Sequence, residues 1–387
     1  MPALSSLSAP LALAMWDFTW LLRHYPNGAF EDWGRCLDEL QERGYDALRI
    51  EIFPHLLAND PQGGRQDVYR FTPRHFGFAL WGGPWTIDVD IRQGVLDFLS
   101  KCQRRGIRLA LSSWLPASIP ARNTRLEGPA ELVRIWDETL TLLAEHDLLQ
   151  TAVYVDVLNE YPDWHGFTWL HAMLATMAEP KPTPLDIPGN VYNARQKTFY
   201  RRFMHAVLTE LRGRWPAVDF TADTTDWRQD ADMDYSAYSL HDNHLWMVHH
   251  REFIRPTGYW EHIHPANTDA EWAHTFTRIS ERWREYKSEC ELWLDEEYAA
   301  MRSLADRWNI PLGSTEGHGA IFWADHPALN WNFIREAGEI AVRLGAKHRF
   351  AFNCTSNFCH PHFVGMWRDI DWHRQMTKII KSPHPRW

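Results

Sequence analysis

Two glutamates end runs that read as buried strands. Glu160 closes Ala152-Val-Tyr-Val-Asp-Val-Leu158-Asn159-Glu160, and Glu316 stands in Pro311-Leu-Gly-Ser-Thr-Glu316-Gly-His318. Two carboxyls at strand tips can divide the labour of breaking a glycosidic bond. One is protonated and releases the leaving oxygen; the other is ionised and attacks, or activates water. That chemistry requires a fold that brings two tips remote in sequence into one site.

The elements that would position them repeat a helix–glycine–strand unit. Phe30, Trp33, Leu37 and Leu40 fall at helical spacing, Gly44 follows, and Ala47-Leu-Arg-Ile-Glu-Ile-Phe53 reads as a strand. Ile91, Val95, Phe98, Leu99 and Cys102 lead to Gly106 and Ile107-Arg-Leu-Ala-Leu111. Phe333, Ala337, Ile340, Ala341 and Leu344 lead to Gly345 and His348-Arg-Phe-Ala-Phe352. Glycine after the last turn suits a left-handed helix cap. Strands alternating with helices predict parallel pairing through right-handed crossovers.

Eight strands are expected, near 11–17, 47–53, 107–113, 152–158, 217–222, 236–241, 311–316 and 348–353. Helices are expected near 30–43, 90–105, 129–147, 192–213, 270–308 (broken), 327–344 and 368–380. The α/β pattern fits a (β/α)8 TIM barrel in a single domain over residues 1–387. A doubly wound open sheet is the alternative, because 223–235 is too short for a good helix between the fifth and sixth strands. Loops near 54–89, 161–190 and 242–269 are long, while helix-to-strand turns are short. Long loops on one face place a barrel's site at the carboxyl ends of its strands, where both glutamates lie.

With this placement the chain resembles a retaining glycoside hydrolase of the large cellulase-like group, clan A. Asp46-Ala-Leu-Arg-Ile-Glu51 resembles that family's second strand, whose arginine supports the nucleophile; Arg49 matches it. Leu158-Asn159-Glu160-Tyr-Pro162 resembles the fourth-strand motif, in which Asn contacts the sugar 2-hydroxyl and Glu is the acid/base. Ser314-Thr-Glu316-Gly resembles the seventh-strand motif that bears the nucleophile. His241, at the expected end of the sixth strand, lies where relatives often place a His or Tyr near that nucleophile. The resemblance thus implies Glu160 and Glu316 as catalytic residues of a β-glycosidase. Two departures leave the sugar open: Ser112-Ser113-Trp114 stands where many relatives carry His, and Asn353-Cys354 where many carry Trp.

Further contacts are expected from position alone. Among 22 Trp, residues 16, 114 and 323 lie at or just past strand ends. An indole there can stack on the apolar face of a sugar ring, or can simply bury a loop. Asp17 and Glu51 are near the same mouth and could bind hydroxyls, and His318 follows the second glutamate by two residues. Arg49 and Glu51 share one strand face, so a plain ion pair between them is also open.

Other classes find less support. A formal charge of −10 argues against a nucleic-acid partner. No apolar stretch approaches the ~20 residues of a membrane span. Neither a glycine-rich phosphate loop nor a Gly-x-Ser-x-Gly elbow occurs, and no cofactor is expected. Twenty-one His invite a metal reading through His241-Asp-Asn-His244, His262-Ile-His264 or Cys359-His-Pro-His362. The first strand reads Met15-Trp16-Asp17, without His-x-His, and Cys359 has no second half at zinc spacing. A carbohydrate-binding barrel without turnover is the other alternative. Five scattered cysteines, and an amino terminus with no basic residue ahead of Leu11, predict a cytoplasmic protein. Small oligosaccharides or glycosides attacked from one end are then the expected substrates. The sequence does not specify an oligomeric state.

Overall fold

The computed structural model describes residues 4, 7–62, 64–72, 85–178, 191–262, 268–320, 325 and 331–382. Eight parallel strands form the centre: β1 (Leu11–Asp17), β2 (Ala47–Glu51), β3 (Arg108–Ser112), β4 (Ala152–Asp156), β5 (Phe220–Thr221), β6 (His241–Asp242), β7 (Leu312–Ser314) and β8 (Phe352–Cys354). Their hydrogen-bonded order runs from β5 back through β4, β3, β2 and β1, then on through β8 and β7 to β6. A parallel bridge between Thr224 and Asn243 joins the two ends. Thr224 N–H donates to Asp242 O at 3.2 Å and His244 N–H to Thr224 O at 2.8 Å, so the sheet closes on itself. This is a TIM barrel, not an open sheet.

Among the described residues, seven helices of ten or more residues pack outside: α1 (Trp33–Glu42), α2 (Ile91–Arg105), α3 (Gly128–Glu145), α4 (Ala194–Arg214), α5 (Asp269–Trp308), α6 (Trp331–Lys347) and α7 (Ile370–Ile380). Between β5 and β6 stands only the 3-10 turn Trp227–Gln229, as the shortness of that segment predicts. Two expectations are corrected. In place of the broken helix expected over 270–308, Asp269–Trp308 is one unbroken helix of 40 residues, started by a reciprocal Thr268–Glu271 cap and ended by Asn309 at φ 52°. Gly44 and Gly106 adopt positive φ after their helices, but Gly345 lies inside α6. A Cβ there would meet Asn353 Nδ2 at 2.5 Å, so that glycine serves close packing of helix on strand.

Alternation along the strands builds the site's floor. Leu13, Ala47, Ala110, Tyr154, Leu240 and Phe352 form an apolar cluster within the barrel. Two residues further along their strands come Arg49, Ser112, Asp156, Asp242 and Cys354, all buried. Apolar below and ionisable above, the interior changes character at the carboxyl end of the strands. The long loops carry structure of their own. Val68–Phe71 and Ile87–Asp90 pair antiparallel after β2, and Thr168–Thr176 is a helix after β4.

Candidate active site

Arg49 is the centre of the buried polar layer. Its Nη1 donates to Glu316 Oε2 at 2.6 Å. Its Nη2 donates to Asn159 Oδ1, and at 3.3 Å to both Ser112 Oγ and Asp223 Oδ2. Asp17 Oδ1 stands 3.7 Å from Nη1, and Asp156 Oδ2 4.0 Å from Nη2. A planar guanidinium can hold several oxygens at fixed angles, as an ammonium cannot. The tips of β1, β2, β3, β4 and β7 and the end of β5 are thereby tied to one cation.

His244 links the two glutamates. Nδ1 lies 3.0 Å from Glu160 Oε1 and 3.5 Å from Glu316 Oε2. On the other edge, Nε2 lies 3.2 Å from Thr315 Oγ1 and 3.2 Å from Asp223 Oδ2. One oxygen of Glu160 and one of Glu316 lie within 4.8 Å of each other and of that imidazole. Both carboxyls are almost enclosed, with side-chain exposures of 8% and 3%.

Six carboxyls therefore share a small volume with one arginine. Burial disfavours their charged forms, and neighbouring carboxylates add to this. Burial first, and then the charge of Glu316, push Glu160 well above the ordinary carboxylate range. Burial raises Asp223 to about 7 although Arg49 opposes it, and Asp17 to about 6 against the same opposition. Asp156 is raised well above its usual value by burial and by Asp223. Desolvation lowers His244, which favours a neutral ring. Two triples, Glu160–His244–Glu316 and Asp223–Asp242–His244, bring metal-type ligand atoms within 4.8 Å. In each, donors from the protein already engage the oxygens: Arg49 on Glu316 and Asp223, Thr315 on Asp242.

The model of a family described as sugar-binding cellulase-like matches residues 13–381. The chain belongs to this cellulase-like family. Among solved structures, a putative glycoside hydrolase from Parabacteroides distasonis is similar over 97% of this chain and 94% of its own, at 30% identity and a TM-score of 0.83. Cel5A of Thermotoga maritima, solved with mannotriose, shares the fold at 12% identity and a TM-score of 0.52, covering 96% of this chain and 97% of its own. An endoglucanase is similar to the same extent, at 10% identity and a TM-score of 0.52 over 96% and 97%. No curated protein sequence matches.

Within this cellulase-like barrel the structure gathers Glu160, Glu316, Arg49, Asn159 and Asp17 into one cluster. Asn159 also donates from Nδ2 to Trp164 O at 3.2 Å. Trp114 adjoins them through its indole N–H, which donates to Asp17 Oδ2 at 3.1 Å. Three expectations change here, and His241 makes a fourth. Glu51 does not pair with Arg49: its carboxyl accepts the N–H of Phe53 at 2.5 Å and that of Trp114, and so holds the loops beyond β2 and β3. Trp16 is no sugar platform. It is fully buried on the outer side of β1, donates to Cys359 O at 3.1 Å, and meets Phe30 edge-on at 5.0 Å. His318 is occupied by the protein, with Tyr298 OH at 3.2 Å on Nδ1 and Cys354 O at 3.2 Å on Nε2. Trp323 lies outside the described residues.

His241 is the clearest correction. Its ring faces Tyr235 at 5.4 Å on the outside of β6, and neither ring nitrogen has a hydrogen-bond partner. Residues 235–238 form a turn, with Tyr238 N–H on Tyr235 O at 2.9 Å. The strand therefore starts later than the expected 236–241, and His244 reaches the site instead. Sequence reasoning also passed over Asp156, Asp223 and Asp242. A lone carboxylate inside or just past an apolar strand was the available signal, since such a group needs a buried partner.

Proposed function

We propose that the chain is a retaining β-glycosidase working by double displacement. Glu316 attacks the anomeric carbon while Glu160 donates its proton to the leaving oxygen. Glu160, now ionised, takes a proton from water, which attacks the glycosyl–enzyme ester and releases Glu316. The observation that carries this reading is the approach of the two carboxyls to within 4.8 Å. Retaining enzymes separate theirs by about 5–5.5 Å, whereas inverting ones need about 6.5–9.5 Å to seat a water between them.

Electrostatics supports the division of roles. Glu316 has the guanidinium at 2.6 Å as its counter-charge, and among the described residues Glu160 has neutral His244 as its close side-chain partner. Raised by burial and by Glu316, Glu160 keeps its proton near neutral pH. The near-closure of both carboxyls supports a pocket that takes one end of a short oligosaccharide or glycoside. Five buried cysteines without disulfides support the cytoplasm as its setting. The test is a panel of aryl β-glycosides and short oligosaccharides, with NMR detection of the first-formed anomer. A product that first appears in the inverted configuration overturns the retaining assignment.

Sugar binding without turnover is the second reading, which the family's description as sugar-binding favours. It predicts that ligands bind while no substrate on the panel is cleaved.

A further inference from the structure

Neither ring nitrogen of His244 is free to choose its role. Thr315 hydroxyl donates to Asp242 Oδ2 at 2.7 Å, so its single proton is spent. Towards His244 Nε2, at 3.2 Å, Thr315 can only accept. The other atom within hydrogen-bond reach of Nε2 is Asp223 Oδ2, at 3.2 Å. Asp223 is held as an acceptor by Arg49 Nη2 on Oδ2 at 3.3 Å and by the Glu160 N–H on Oδ1, while Asp242 Oδ1 lies further off at 4.0 Å. Two acceptors thus face one nitrogen. That arrangement places the proton of a neutral imidazole on Nε2 and leaves a lone pair on Nδ1. The atom opposite that lone pair, 3.0 Å away, is Glu160 Oε1.

We propose that Asp223, with Thr315, fixes His244 in the Nε2–H tautomer, so that Nδ1 accepts a hydrogen bond from the Glu160 carboxyl and keeps the acid proton on Glu160 between turnovers. Asp223 is a positioning residue acting through His244. The inference rests on the proposed role of Glu160 as the acid. The proton balance is closed. Glu160 O–H points to Nδ1 in the resting site, passes its proton to the leaving oxygen, and regains one from the attacking water. While Glu160 is ionised, its oxygen faces the Nδ1 lone pair, which favours reprotonation. Asp223 does more than orient the ring: its Oδ1 accepts the backbone N–H of Glu160, whose φ is 44°. One carboxylate therefore places both the acid's main chain and the acceptor of its proton.

The charged and titratable groups facing His244 are Glu160, Glu316, Asp223, Asp242, Asp156 and Arg49, with His249 and His318 beyond. None of these supplies a donor to Nε2. Asp223→Asn changes that. Its Oδ1 keeps the Glu160 N–H, and its new amide N–H donates to Nε2, moving the ring proton to Nδ1.

Nitrogen-15 NMR of histidine-labelled protein, with His244→Gln to assign the signals, reads the tautomer directly. The wild type is expected to show a protonated Nε2 and a bare Nδ1, and Asp223→Asn the reverse. In Asp223→Asn, kcat at neutral pH should fall at least about tenfold with KM nearly unchanged. The basic limb of the kcat profile should move to lower pH, because Nδ1–H now stabilises ionised Glu160. A wild-type ring protonated on Nδ1 overturns the proposal, whether or not the variant folds. So does a folded Asp223→Asn protein with the wild-type tautomer and an unmoved basic limb. The tautomer is measured without substrate, so a failure of the glycosidase reading leaves this result distinct.

Discussion

Arg49 Nη1 and Glu316 Oε2 are 2.6 Å apart, and the same guanidinium reaches Asn159, Ser112 and Asp223 through its other terminal nitrogen. The residue before the acid and the nucleophile itself therefore share one rigid fork. Arg49→Lys keeps the charge but cannot fill both directions. We expect kcat to fall by about 10²–10³, the scale seen when one preorganised donor is lost from a site. Arg49→Met leaves several buried carboxyls without a cation and should lower stability by about 3–5 kcal/mol. Denaturant titration beside steady-state kinetics measures both.

The barrel was legible because its strands are short apolar runs closed by helices of clear amphipathic period, and the two glutamates because they end such runs. Arg49 was legible through resemblance, as the arginine of a second-strand motif that also contains Glu51. His241 misled because the expected strand 236–241 put it at a carboxyl end, whereas the turn at 235–238 makes it the first residue of β6. A strand start wrong by a few residues exchanges inward and outward faces. The Trp16 and Glu51 expectations failed on a different point. Position near a strand end does not say whether a side chain faces the site, the helices or a loop's backbone. Asp223 and Asp242 could not be ranked from sequence, because their importance comes from contacts with residues from other strands.

The two glutamates should respond differently to azide. Without Glu160, a substrate whose leaving group needs no protonation still forms the glycosyl–enzyme, and azide then attacks the face water would use. Glu160→Ala should give a β-glycosyl azide from an activated aryl β-glycoside. Glu316→Ala removes the nucleophile and opens the opposite face, so its product should be the α-azide. Each variant should lose at least about 10²–10⁴ in kcat on unactivated substrate. Swapped azide configurations would reverse the role assignment.

Chelation tests the two ligand-like triples. Arg49 and Thr315 already donate to the oxygens that a metal would need, so prolonged dialysis against EDTA should leave kcat unchanged. A loss restored by one divalent ion would show that the carboxyl cluster is a metal site.

The pH dependence of activity follows from Glu160. Its carboxyl is pushed well above the ordinary range by burial and by Glu316, and the first step needs it protonated. Activity should therefore persist through neutrality and fall as pH rises through that raised value. Glu160→Gln should abolish this basic limb for an activated substrate. A limb at the ordinary glutamate value of about 4.3 would mean that the acid is solvated and the pocket open.

Stability should carry a second, separate titration. Burial raises Glu51 to about 8 and Asp17 to about 6. The folded protein thus holds protons that the unfolded chain has released above about pH 4–5. Stability from these groups is present at low pH and is lost as pH rises, by about 1.4 kcal/mol per pH unit for each group between its two pKa values. Buried histidines work the other way. His241 and His318 are lowered to about 4 by desolvation, so they destabilise the fold as pH falls below about 6.5. The two trends oppose each other between pH 4 and 6.5, and only the carboxyl trend remains from 6.5 to 8. Unfolding free energy should decline across that upper window, and Glu51→Gln should flatten the decline, at the cost of one of the two backbone N–H bonds, since Phe53 and Trp114 donate to different oxygens of Glu51. If the variant and the wild type show the same slope from pH 6.5 to 8, Glu51 is ionised in the folded state.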